Sequence, residues 1–171
     1  MRAIIISISI LSLFLFSSCY YLVGSGSSEA GKEIESLAIP VLKNKTDVPG
    51  IEITITDAMI KEFTAFSPKM ITDTEHAKAI IHGNVVFYNL ETVTADTRDK
   101  VFEYRLRIKL EITLKDIDES NILYQNKDFE WFIDFKVPRD SISRKREEEY
   151  ACARLAQKLS KKLVGEIFEG F

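Results

Sequence analysis

The sequence predicts an α+β fold in which two helices pack on one face of a mainly antiparallel four-stranded sheet, ordered β-α-β-β-β-α with a short extra strand. Three patterns carry this reading. Phe102, Tyr104, Leu106, Ile108, Leu110, Ile112 and Leu114 alternate with Glu103, Arg105, Arg107, Lys109 and Glu111, the period-two pattern of a strand with one buried face. Ile51, Ile55, Ala58, Met59 and Phe63 recur at three- and four-residue spacing, as do Cys152, Leu155, Ala156, Leu159, Leu163 and Ile167, so two amphipathic helices flank the strands.

The chain opens with one positive charge, Arg2, and a run of Ile, Leu, Ser and Phe from Ala3 to Phe16 that ends at small residues before Cys19. Such a run is shorter than the roughly 18 to 20 apolar residues that span a bilayer, and residues 1–18 read as a signal peptide. Phe16-Ser17-Ser18-Cys19 resembles a lipobox, which makes Cys19 the expected acylated N-terminus of the mature protein. Each buried methylene of an acyl chain contributes about 0.8 kcal/mol, so several chains suffice to hold the protein on a membrane. Residues 19–33 follow as a lipidated start and tether, rich in Gly24, Ser25, Gly26, Ser27, Ser28 and Gly31, with too little apolar surface to order itself.

Residues 34–171 form the expected single domain. Ser36 to Leu42 reads as a short buried strand, with Pro40 implying an edge or a strand end. Asn44 to Gly50, with Asp47 and Pro49, reads as a loop. The first helix starts near Ile51; its β-branched residues, Thr54 and Thr56 among them, lower its intrinsic propensity, so packing must hold it, and Ser67-Pro68 stops it. Met70 to Thr72 is the short extra strand. Three longer strands are expected over Ala79 to Leu90, Val101 to Lys115 and Ile122 to Phe135, with a turn at Asp116 to Asn121 joining the last two as an antiparallel hairpin. Phe129, Trp131, Ile133 and Phe135 share the face expected to meet the helices. Pro138-Arg139-Asp140-Ser141 has the character of a helix start, and the second helix runs on to Gly170.

Composition narrows the function. The formal charge is -3 and 46% of residues are hydrophobic, which gives no footprint of nucleic-acid binding. Two cysteines, one in the lipobox-like run, make no disulfide framework. His76 and His82 have no companion ligands at metal spacing, Cys152 sits on an apolar helical stripe, and the glycines of the tether lack the strand-to-helix setting of a phosphate loop. Without a nucleophile and base, a carboxylate pair or a metal cluster, the reading is non-enzymatic, with no cofactor and no metal.

The cations are the remaining chemistry. Arg105, Arg107 and Lys109 face Asp128, Glu130 and Asp134 across the hairpin, where opposite charges are expected to pair. Arg98 and Lys100 in the preceding loop, with Lys136 and Arg139 at the far end of the hairpin, are expected to converge at one sheet end as an anion-binding set.

The segments Ile39-Pro40-Val41-Leu42-Lys43-Asn44-Lys45-Thr46, Pro49-Gly50-Ile51-Glu52, Ala77-Lys78-Ala79-Ile80-Ile81-His82-Gly83, Glu103-Tyr104-Arg105 and Phe168-Glu169-Gly170-Phe171 occur in that order after Cys19. Together they resemble the LptE-family lipopolysaccharide-assembly lipoproteins over nearly the whole mature chain. Tyr21 and Gly24 match the family's usual start, whereas Tyr20 stands where a glycine is typical. The resemblance implies an outer-membrane, periplasm-facing lipoprotein that plugs a large β-barrel, LptD, helps it assemble and binds lipopolysaccharide. It also implies ligand contacts at basic residues near sheet-end loops, which suits Arg98, Lys100, Lys136 and Arg139. The alternative left by the residues alone is a stand-alone periplasmic lipid- or glycolipid-binding lipoprotein.

Overall fold

The computed structural model describes residues 34–96, 101–118, 121–138 and 141–169. Two short strands, β1 (Leu37–Ala38) and β2 (Lys43–Asn44), precede helix α1 (Ile51–Phe66). Three long strands, β3 (Ala79–Asp96), β4 (Val101–Asp116) and β5 (Ile122–Pro138), lead into helix α2 (Ser141–Val164), which ends in a π-helical turn, Gly165–Glu169. The sheet is mixed: β3, β4 and β5 form an antiparallel meander, while β1 and β2 both lie parallel to β3.

The strand expected over Ser36 to Leu42 is thus divided. Pro40 has no N–H to give to a ladder, and the chain leaves β3 after Ala38 and rejoins it at Lys43, opposite Asn84. Met70 to Thr72 contributes a single bridge, Leu37 to Ile71, with Leu37 N–H donating to Met70 and Thr72 N–H donating back to Leu37. The long strands run beyond their expected ends, to Asp96, Asp116 and Pro138, because ladder pairing continues past the point where apolar alternation fades.

Asn44 organises the loop before α1. Its amide donates to the Val48 carbonyl and the Glu52 carboxylate, each at 2.8 Å, and its carbonyl accepts from the backbone and hydroxyl of Thr46. Gly50 closes the loop at φ 83°, a left-handed conformation that glycine adopts without steric cost. Ile51, Ile55, Met59 and Phe63 then point into the core.

Both helices cover one face of the sheet. Leu106, Ile108, Leu110, Ile112 and Leu114 of β4 are buried, as are Phe129, Ile133 and Phe135 of β5 and Ala151, Leu155, Leu159 and Leu163 of α2. Burying each such large aliphatic or aromatic side chain contributes on the order of 1.5–3 kcal/mol, so this single core is the main source of stability. Gly83 lies where Leu42 crosses the sheet: an added Cβ would stand 2.9 Å from both Leu42 and Ile112, so glycine permits that close approach. At the C-terminus Phe168 stacks on Phe66 with centroids 4.7 Å apart and meets Phe63 edge-on at 6.1 Å, which locks the π-helical turn against the end of α1.

Trp131 departs from the expected burial. It lies in line with Phe129 and Ile133 but remains 44% exposed, with Lys162 Nζ of α2 5.1 Å from its ring centre. Cys152 is half-buried and packs on the rim of the core.

Candidate functional site

The sheet end singled out by charge is framed by register. Asp96 of β3 pairs with Val101 of β4, and Val101 pairs with Pro138 of β5, three residues before α2 begins. The strand ends that flank positions 98 and 100 therefore adjoin the strand end that precedes position 139. Lys136 is exposed on β5, opposite Glu103. Arg98, Lys100 and Arg139 lie outside the described residues, as does Cys19 with the signal and tether segments.

On the outer face of the sheet the expected cross-strand pairs form. Arg105 donates twice to Asp134, at 2.8 and 2.9 Å, Lys109 donates to Asp128 at 2.8 Å, and Arg107 lies 3.8 Å from Glu130. The partner hydrogen bonds hold the Asp134 and Asp128 carboxyls below the usual carboxylate range and raise Arg105 and Lys109. Arg105 also lies over the Phe132 ring at 4.3 Å. These cations are committed to neighbours on the same face.

The histidines do not meet. His76 is exposed and bonded to Asp73 at 2.7 Å, while His82 lies exposed on β3. Among the described residues no three His, Cys, Asp or Glu side chains gather as a metal site. Two tyrosine–carboxylate contacts tie α2 and its π-helical end to the sheet. Tyr88 donates to Glu148 at 2.7 Å, and Tyr124 donates to Glu166, which also accepts from Asn126. Burial first, and the carboxylate second, pushes both phenols upward, so they are neutral hydrogen-bond donors rather than bases. Burial likewise pushes the Cys152 thiol up to about 11, with Glu148 adding to the effect. A thiol so raised is a poor nucleophile at neutral pH.

The space between helices and sheet is filled by side chains, with Phe63, Phe129, Ile55 and Met59 essentially inaccessible. Surface grooves lie outside this core. One of about 580 Å³ opens between the starts of the two helices, beside Gly50, Tyr88, Lys145 and Cys152. Another of about 540 Å³ lies on the outer face of the sheet at the β1–β2 end. Sequence reading missed the second groove, since the residues that line it come from separate strands.

The lipopolysaccharide-assembly family LptE matches residues 34–167, the whole of the two-layer body. The chain belongs to the LptE family. Among curated proteins, none matches its sequence. Solved structures share the architecture of this LptE-family chain at low identity. A PelC dodecamer from Paraburkholderia phytofirmans is 13% identical with a TM-score of 0.50, over 84% of this chain and 93% of that one. The protein XCC0632 from Xanthomonas campestris is 10% identical with a TM-score of 0.50, over 75% of this chain and 83% of that one. At such identities the likeness to this LptE-family fold concerns fold alone.

Proposed function

We propose that this LptE-family chain is a non-enzymatic outer-membrane lipoprotein, anchored through acyl chains on Cys19 and facing the periplasm, that plugs and helps assemble an LptD-like β-barrel. In this reading residues 1–18 direct export, residues 19–33 tether the body, and the sheet end bearing Arg98, Lys100, Lys136 and Arg139 binds lipopolysaccharide. The observation that carries it is the family match across the whole folded body, residues 34–167. The register that draws together the strand ends flanking the cations supports the ligand part, because several phosphates favour several Lys and Arg donors. The filled core disfavours a stand-alone lipid carrier, which needs an apolar cavity between its layers.

The test is purification of the full chain from native outer membranes in mild detergent. Recovery with a large β-barrel protein is expected; recovery without any barrel overturns the reading.

A further inference from the structure

The outer-face groove at the β1–β2 end is built differently from the rest of the polar sheet surface. Its floor is a patch of four strands. Asn84 of β3 is flanked by Lys43 of β2 and Glu111 of β4, and His82 pairs with Thr113, which pairs with Gln125 of β5. A bulge in β5 sets two residues, Lys127 and Asp128, opposite the single Glu111, between the pairs Ile112–Asn126 and Leu110–Phe129. Asp128 turns to Lys109, while Lys127 lines the groove.

Charge in this groove is unbalanced. Its lining holds Lys43, Lys115 and Lys127 against one carboxylate, Glu111. That carboxylate is already engaged, since Lys45 and Asn84 donate to it at 3.0 and 2.8 Å. None of the three lining lysines forms an ion pair with a described residue, unlike Arg105, Arg107 and Lys109 farther along the same face. Interleaved with them are His82, Thr113 and Gln125, which supply hydrogen-bonding groups, and the apolar rim of Pro40 and Val41, the latter 63% exposed. Lysines suit phosphate oxygens, hydroxyl and amide groups suit sugar hydroxyls, and the rim suits the C–H face of a pyranose.

We infer that this groove is a binding site for a phosphorylated saccharide, separate from the sheet end. At roughly 3.3 Å per residue, the stretch of β3 from His82 to the strand's end places the two about 45 Å apart. Phosphorylated sugars occur both in glycolipid headgroups and as soluble metabolites, and the groove chemistry serves either. The site stands on its own geometry and rests on the function proposed above only for the idea that a glycolipid is at hand.

The test is a titration of the full chain in zwitterionic detergent micelles at low ionic strength, followed by the NMR resonances of His82, Asn84, Thr113 and Gln125. Glucose 6-phosphate should shift these signals saturably and bind at least about tenfold more tightly than inorganic phosphate, with no saturable response to glucose. Absence of a saturable shift overturns the site. Equal affinity for inorganic phosphate, or binding of glucose alone, overturns the phosphorylated saccharide as its ligand. Lys115→Glu with Lys127→Glu should weaken glucose 6-phosphate by at least about tenfold while leaving the unfolding midpoint within error, and unchanged binding overturns the assignment. Displacement by purified lipopolysaccharide supports a glycolipid source, and persistence of the sugar phosphate supports a soluble one. Barrel recovery with wild-type chain is scored separately, so failure of the groove and failure of the plug role are distinguishable.

Discussion

The backbone N–H of Leu42 donates to Thr56 Oγ1 across 3.1 Å in the interior of the protein, and that hydroxyl donates onward to the Glu52 carbonyl at 2.6 Å. Leu42 is where the divided strand turns back towards β3, so one hydroxyl on α1 satisfies a backbone group that Pro40 helped to free from the ladder. Thr56→Val keeps the shape and removes the acceptor. It should lower unfolding stability by about 1–3 kcal/mol in urea denaturation, the cost of a buried N–H left unpaired, whereas Thr56→Ser should cost less. Equal stability of the Val variant and wild type would show that Leu42 finds another partner.

Gly83 and Leu42 are predicted to be coupled. Gly83→Ala forces a methyl to within 2.9 Å of Leu42 and Ile112 and should cost about 1–3 kcal/mol by overpacking. Leu42→Ala alone should cost about 2–5 kcal/mol. Because the smaller Leu42 side chain makes room for the new methyl, the double variant should be more stable than the sum of the two losses by about 0.5 kcal/mol or more. Strict additivity in denaturant titration would place the strain elsewhere.

Cys152 gives a pH signature. Its thiol has an ordinary value of 9.0 and is held at about 11 in the folded protein. The unfolded chain therefore releases this proton first, and the associated stability is fully present below pH 9 and lost as the pH rises from 9 through 11. Thermal unfolding of the wild type should fall more steeply across that window than that of Cys152→Ala; parallel curves would refute the raised thiol.

Thiol counting also addresses the anchor. The sequence holds two cysteines, Cys19 and Cys152. After unfolding in urea, protein isolated from membranes should take up one maleimide, at Cys152, and intact mass should carry the added fatty acyl groups. Labelling of Cys19 would contradict acylation at that position.

For the sheet end, Arg98→Glu with Lys100→Glu should weaken lipopolysaccharide binding by at least about tenfold, measured by co-precipitation across a salt series, with little change in unfolding. Unchanged binding would remove these residues from the ligand site and leave the barrel-plug reading standing.

Alternation from Phe102 to Leu114 and helical spacing at Ile51 to Phe63 and Cys152 to Ile167 were enough to determine the α+β class, the order of elements and most of the core, because each pattern is a local consequence of backbone period. The pairing of Arg105 with Asp134 and Lys109 with Asp128 was legible for the same reason, once two strands were known to be adjacent. Tertiary structure alone decided the rest. Nothing in residues 36–44 announces that two short strands will lie parallel to β3, since parallel pairing depends on where the intervening chain packs. The exposure of Trp131 depends on how much of β5 the second helix covers. The cationic groove needs Lys43, Lys115 and Lys127 from three different strands and a bulge that no hydrophobic period encodes. Period is a property of neighbours along the chain, whereas convergence is a property of register between strands far apart in sequence, and only the folded sheet sets that register.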